Sequence, residues 1–233
     1  ALKNQAVKRT SRIEQAGREA TVYLYDIVGE DWFGGVSAKD FVPQLNALDA
    51  DTIHLRINSP GGDVFDARAI STALKNHKAH VVAHIDGQAC SAATYIALAA
   101  DDVIMADGGF FMIHNAWTMA MGNAADLNET AALLDKVDAT IVADYQRKTG
   151  KPAEQIAQWM ADTTWFTAQE ALDAGFVDRI EEGQKAAKNQ WNLDAYGNAP
   201  AALKNQEPEE EPEAEFDRTA LERRLSLLER IAL

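Results

Sequence analysis

Short β-rich runs alternating with helical patterns predict an α/β domain built from parallel βαβ units. Three observations carry the prediction. Residues 20–28, 52–57 and 81–85 are runs rich in β-branched and aromatic residues, as strands require. Between them, apolar residues recur at helical spacing. Glycine, serine and proline punctuate the strand ends, as in Asn58-Ser59-Pro60-Gly61-Gly62 and at Gly87.

Taken in order, residues 1–18 are polar, mixed in charge and without period, and are expected to form a mobile arm. The strand at 20–28 follows, then a loop marked by Gly29, Gly34 and Gly35. Ser37 has the character of an N-cap, and Phe41, Val42, Leu45 and Leu48 fall on one helical face. The strand at 52–57 leads through Gly61-Gly62 into a helix carrying Val64, Ala67, Ile70, Ala73 and Leu74. The strand at 81–85 leads through Gly87-Gln88-Ala89-Cys90-Ser91 into a small-residue helix from Ala92. Residues 103–105 and 110–114 are short apolar runs parted by Gly108-Gly109.

From 124 to 149 the pattern becomes one long helix. Its stripe is Leu127, Ala131, Leu134, Val137, Ile141 and Tyr145, and Gly150 with Pro152 stops it. A shorter helix follows near 153–160. Thr167-Ala168-Gln169-Glu170 reads as a capping box opening a helix that Gly175 closes, and residues 176–180 as a last strand. The domain is therefore placed at 19–182. Residues 183–217 are expected to be a disordered linker, because they lack apolar period and contain Glu207, Glu209, Glu210, Glu211, Glu213, Glu215 and Asp217 without a basic residue between. Residues 218–233 are expected to form a short amphipathic helix through Leu221, Leu225 and Leu228, too short to be stable without a partner surface.

Composition narrows the function. The 233 residues suffice for one sizeable domain and a tail. A net charge of -14 argues against nucleic acid as a partner. The single cysteine, Cys90, excludes an intrachain disulfide. No run reaches the length of a membrane span and the N-terminus lacks the apolar core of a signal peptide, so a cytoplasmic protein is expected, with no membrane partner. No cluster has metal-ligand spacing, and phosphate-loop and dinucleotide fingerprints are absent, so neither metal nor cofactor is expected. Ala1-Leu2-Lys3-Asn4-Gln5 recurs as Ala202-Leu203-Lys204-Asn205-Gln206, either by chance in a polar tail or as a self-cleavage sequence.

Acyl-transfer hydrolysis needs a nucleophile, a base, a group orienting the base, and donors for the oxyanion. Ser91 lies where a strand passes into a helix N-terminus. His114 ends an apolar strand, where an imidazole can leave the core. Gly61-Gly62 lets the backbone approach a ligand, so the amides of Gly62 and Ala92 are the candidate oxyanion donors. Parallel strands bring such ends to a common edge. Taken singly, each has a structural reading: a helix cap for Ser91, a satisfied polar group for His114, a turn for the glycines. Cys90 is the stronger intrinsic nucleophile, but a lone buried thiol is inert. Ser59 is expected to shape the Pro60 turn. His54, His77, His80 and His84 are expected in core or surface roles.

These residues together resemble the ClpP-type serine peptidases, and within them the head maturation proteases of tailed phages and prophages. The resemblance runs from about Thr21 to Ile180. It rests on Ile57-Asn58-Ser59-Pro60-Gly61-Gly62, Gly87-Gln88-Ala89-Cys90-Ser91-Ala92-Ala93, Met112-Ile113-His114-Asn115, and Thr164-Trp165-Phe166-Thr167-Ala168-Gln169-Glu170-Ala171 before Gly175-Phe176-Val177-Asp178. Asp31-Trp32-Phe33-Gly34, residues 117–124 and Thr164-Trp165 suggest the phage branch.

The resemblance implies a crotonase-like spiral of βαβ units, with the helix at 124–149 as a handle through which homo-oligomeric rings pair. It implies an ATP-independent serine endopeptidase with Ser91 as nucleophile, His114 as base and Gly62 and Ala92 as oxyanion hole. The strand ending at His114 and the segment after it would flank a peptide substrate added as an extra strand. The family places an acid two residues before the aromatic of the Thr164-Trp165 motif, where this chain has Thr163; the adjacent Asp162 is the candidate third member. Capsid-assembly proteins are the implied substrates, with capsid, portal or scaffold proteins as partners of the C-terminal helix. The alternatives are a non-catalytic assembly protein of the same fold and an acyl-CoA enzyme of crotonase type.

Overall fold

The computed structural model describes residues 12–30, 35–181, 183, 193, 196 and 198–200. The repeated Lys-Asn-Gln segments, the Asp31-Trp32-Phe33-Gly34 motif, the acidic run and the C-terminal helix lie outside the described residues.

Within them the strands are β1 (Arg12–Ala16), β2 (Glu19–Leu24), β3 (Thr52–Ser59), β4 (His80–Cys90), β5 (Asp102–Ala106), β6 (Phe110–Ile113), β7 (Thr164–Thr167) and β8 (Arg179–Glu181). The main sheet runs β1-β2-β3-β4-β5-β8, with β6 joined to β4 and β7 joined to β6. From β2 to β5 and on to β8 the neighbours are parallel, as the βαβ reading predicts. The β1-β2 and β6-β7 pairs are antiparallel.

The helices are α1 (Ala38–Asn46), α2 (Val64–Asn76), α3 (Ala92–Ala97), α4 (Ala124–Thr149), α5 (Ala153–Ala161) and α6 (Ala168–Ala174). Their ends follow local chemistry. The Ser37 hydroxyl accepts from the Asp40 amide, and Asp63 caps α2 through the amides of Phe65 and Asp66. Capping boxes open α4 at Asn123 and α6 at Thr167, and left-handed glycines close both, at Gly150 and Gly175.

One face of the sheet is aliphatic. Ile53, Leu55 and Ile57 of β3 are buried beside Val81, Ala83 and Ile85 of β4, the period-2 pattern of a pleated strand. The other face is polar: His54 Nδ1 lies 3.1 Å from His84 Nε2, and Arg56 pairs with Asp86, which also accepts from Tyr25. Burial pushes His84 down to about 4. His54 and His84 are thus structural members of this face.

Three expectations need correction. Arg12–Ala16, inside the stretch 1–18 expected to be a mobile arm, is a strand. Its residues are mostly exposed, so pairing with β2 is carried by the backbone and leaves no apolar signature. The strand expected at 81–85 runs on through Gly87 to Cys90: Val82 to Ile85 pair with β5, while Gln88 to Cys90 pair with β6. Gly87 is where the strand changes partner, and the turn falls at Ser91. Within the stretch 183–217, expected to be a disordered linker, Leu193 and Ala199 are buried, and the Tyr196 phenol donates to the Pro60 carbonyl of the domain.

The long helix is anchored at its C-terminal half only. Ile141 and Tyr145 are buried, and Tyr145 shares a 2.6 Å hydrogen bond with Thr94 of α3. Phe176 packs against Tyr145, Phe111 and Phe166, tying α4, β6 and β7 into one aromatic core. Toward the N-terminus the stripe residues Leu127 and Ala131 are exposed, Leu127 at 45%, and Leu133 beside the stripe is 54% exposed, so this end of the stripe is not covered by the chain's own domain.

Candidate active site

β4 carries Ser91 at its end, and β6, paired beside it, carries His114 one residue past its own end. This shared edge brings the two side chains together: His114 Nε2 lies 2.7 Å from Ser91 Oγ. Ser91 has φ 53° and ψ -126°, a region costly for any residue with a side chain. The surroundings enforce it, since the Ser91 amide donates to the Met112 carbonyl at 2.8 Å. Ser91 precedes α3 but makes no side-chain cap, so its hydroxyl is turned to the histidine instead of the helix.

His114 is pushed down to about 4 by burial. It is therefore neutral near pH 7, and with the proton on Nδ1 its Nε2 accepts the hydrogen bond from Ser91. Cys90 is fully buried and its thiol is pushed up by burial, which leaves it protonated and inert.

Gly61 and Gly62 close the site from the other side. A Cβ on Gly61, at φ 96°, would lie 2.5 Å from the Cys90 carbonyl oxygen and 2.7 Å from Ser91 Cβ. Only glycine permits this approach. Ser59 holds the turn as expected, donating to the Asp26 carbonyl at 2.6 Å and accepting from the Gly61 amide at 3.2 Å. Next, Val28 donates to the Gly61 carbonyl and accepts from the Asp63 amide, both at 2.8 Å. Gly62, lying between these bonds, presents its own N–H on the opposite side of the backbone. Among the described residues the Gly62 and Ala92 amides have no hydrogen-bond partner. Both border a cleft of about 440 Å³ that also contains Ser91 and His114.

Asp162 is not brought to this group. It caps the end of α5 on an exposed turn, where Gln158 Nε2 donates to both carboxylate oxygens at 2.9 Å. Among the described residues no carboxylate bonds the His114 ring, and burial alone accounts for its shift. The reason is local: α5 ends in a turn with Thr163 at φ 51°, which leaves the Asp162 side chain on the helix surface. A peptide strand also cannot add to β6, whose two edges are taken by β4 and β7.

One residue at the site is absent from the sequence candidates. Tyr196 packs edge-on against His114, with ring centroids 5.2 Å apart, and donates to the Pro60 carbonyl at 2.7 Å. It sits in an aperiodic stretch; the only hint is a few isolated apolar residues, Trp191, Leu193 and Tyr196, in an otherwise polar run.

No group of three or more metal-ligating side chains occurs among the described residues. A strained serine bonded to a neutral histidine, facing unpaired amides at a strand-to-helix junction, is the layout of a serine-type peptidase.

Comparison with known proteins narrows the class. The model of the family described as Clp protease matches residues 6–184, and the chain belongs to that family. It is 30% identical over 182 residues to the ATP-dependent Clp protease proteolytic subunit of Deinococcus radiodurans, covering 72% of this chain and 89% of that protein. It is 25% identical to the chloroplastic ATP-dependent Clp protease proteolytic subunit-related protein 2 of Arabidopsis thaliana, covering 70% of this chain and 59% of that protein. The structure of a ClpP1 point mutant from Listeria monocytogenes superposes with a TM-score of 0.60 at 27% identity, covering 70% of this chain and 92% of that one. The fold is thus that of ClpP. No helix among the described residues is long and apolar enough to cross a membrane.

Proposed function

We propose that the chain is a serine endopeptidase working through a Ser91-His114 dyad. The observation that carries this reading is the 2.7 Å contact between Ser91 Oγ and His114 Nε2 at a strained strand-to-helix junction. In the reaction, His114 Nε2 takes the hydroxyl proton as Ser91 Oγ attacks the peptide carbonyl carbon. The oxyanion accepts hydrogen bonds from the Gly62 and Ala92 amides. His114 then gives its proton to the leaving amine; a water attacks the acyl-enzyme carbonyl as the same histidine takes its proton, and the acyl–Oγ bond breaks with that proton returned to Ser91 Oγ. Among the described residues no carboxylate stands behind His114, so the imidazolium is less stabilised and turnover falls below that of a full triad by as much as ~10⁴-fold. No step uses a metal or nucleotide.

The substrate class we assign is capsid-assembly protein during phage head maturation, acting in the host cytoplasm or within the assembling capsid. Its support is the resemblance of residues 117–124 and Thr164-Trp165 to that branch. The exposed Leu127 and Leu133 on α4 support pairing of rings through the handle.

The test is labelling by a fluorophosphonate, mapped by mass spectrometry, beside incubation with major capsid, scaffold and portal proteins. Adduct at Ser91, lost in Ser91→Ala and reduced in His114→Ala, is the expected result. Labelling that persists in Ser91→Ala, or capsid processing unchanged by it, would return the chain to a non-catalytic assembly role.

A further inference from the structure

The residues beyond β8 bring an unexpected occupant to the cleft. Tyr196 lines it together with Ser91, His114 and Gly62. Its phenol donates to the carbonyl of Pro60, the residue just before Gly61-Gly62. Its ring meets His114 edge-on at 5.2 Å and Trp165 edge-on at 6.3 Å. Burial pushes the phenol up to about 12, with the Ser91 hydroxyl acting against the shift. The phenol is thus an uncharged donor at working pH, seated beside the nucleophile.

The seat is held on both sides. Leu193 is 1% exposed and Ala199 6% exposed, and the Tyr196 amide donates to the Leu193 carbonyl at 3.0 Å. Asn198 adopts φ 58°, which asparagine tolerates, and its amide donates to the Asp162 carbonyl at 2.8 Å. These contacts are specific in kind: one polar acceptor for a hydroxyl, two aromatic edges for a ring, and apolar anchors before and after.

We propose that Tyr196 is an internal competitor of the cleft, its phenol side chain filling the space next to Ser91 so that a peptide must expel it before reacting. The occupant is the wrong group for cleavage: a side-chain hydroxyl bonded to the Pro60 carbonyl, not a peptide carbonyl, occupies the cleft that Ser91 lines. Tyr196 is therefore held as an inhibitor in cis and not as a substrate. The peptide class that competes best carries a tyrosine able to take the same seat. Apparent affinity for substrate falls by the fraction of molecules in which the seat is empty.

The inference rests on the dyad reading for its kinetic consequence, and the experiment separates the two. Full-length protein and Tyr196→Ala are compared for fluorophosphonate labelling of Ser91 and for hydrolysis of an unfolded protein. The expected result is about a tenfold gain or more in both for Tyr196→Ala, a smaller gain for Tyr196→Phe, and suppression of the gain by N-acetyl-tyrosinamide. In parallel, in the Ser91→Ala background, carbethoxylation of His114 by diethyl pyrocarbonate is followed by mass spectrometry. This readout needs no reactive serine, and Tyr196→Ala is expected to speed it several-fold. Equal carbethoxylation with and without Tyr196 overturns the proposal. Faster carbethoxylation with no Ser91 labelling in either form keeps the seat and rejects the dyad. Lower labelling in Tyr196→Ala would show that Tyr196 supports His114 and would overturn competition.

Discussion

At the scale of single residues, the site depends on keeping one imidazole neutral. Burial lowers the His114 pKa from 6.5 to about 4. The folded chain then binds this proton less readily than the unfolded chain. The resulting contribution to stability is fully present above about pH 6.5 and is lost as pH falls through about 4. Denaturation midpoints measured across this window should therefore fall more steeply for the wild type than for His114→Gln. Because Tyr196 packs on the ring, Tyr196→Ala should also move the acid limb of kcat/KM upward toward 6.5. Asp162 gives a second test at this scale. Its carboxylate is bound by Gln158, so Asp162→Asn should change kcat by no more than about twofold, against the ~10⁴-fold loss expected of a triad acid.

Among the elements, α4 has two halves with different duties. Ile141 is buried with Tyr145 in the aromatic core, and Ile141→Ala should cost about 2–5 kcal/mol, read from denaturant unfolding. Leu133 is more than half exposed on the domain, so Leu133→Glu should leave secondary structure and unfolding of the dissociated chain within about 0.5 kcal/mol of wild type. The same variant should reduce the assembled mass in light scattering if the handle pairs rings as proposed. The capping box of α6 provides a smaller local test: Thr167→Ala removes the acceptor for the Glu170 amide and should cost about 1 kcal/mol. The bend of β4 matters more for function than any helix, because it places Ser91 beside the end of β6 while the first half of the strand stays with β5.

For the whole molecule, the site is an edge assembled from distant parts of the chain. The Gly61-Gly62 turn, the Ser91 junction, the end of β6 and Tyr196 meet at one cleft. Truncation after Gly183 should therefore leave the sheet folded by far-ultraviolet dichroism. It should lower the melting temperature only modestly, through loss of the buried Leu193 and Ala199, and should raise Ser91 labelling. A truncated chain that labels no faster than the full chain would argue against Tyr196 as the occupant.

The sequence alone determined the parallel α/β architecture, the N-cap of α1, the glycine stop of α4, both caps of α6, and the candidates Ser91, His114, Gly62 and Ala92. These are legible because hydrophobic period, capping chemistry and glycine at strand ends are local properties, each written within a few neighbouring residues. Only the tertiary structure decided which candidates meet. It paired Ser91 with His114 through the β4-β6 register, left Asp162 on a helix end with Gln158, and seated Tyr196 between His114 and Trp165. β1 and the Tyr196 seat escaped the sequence for one physical reason. A strand held by backbone pairing, and a side chain inserted singly into a cleft, require no periodic pattern. What selects them is the surface they dock on, which exists only once the chain has folded.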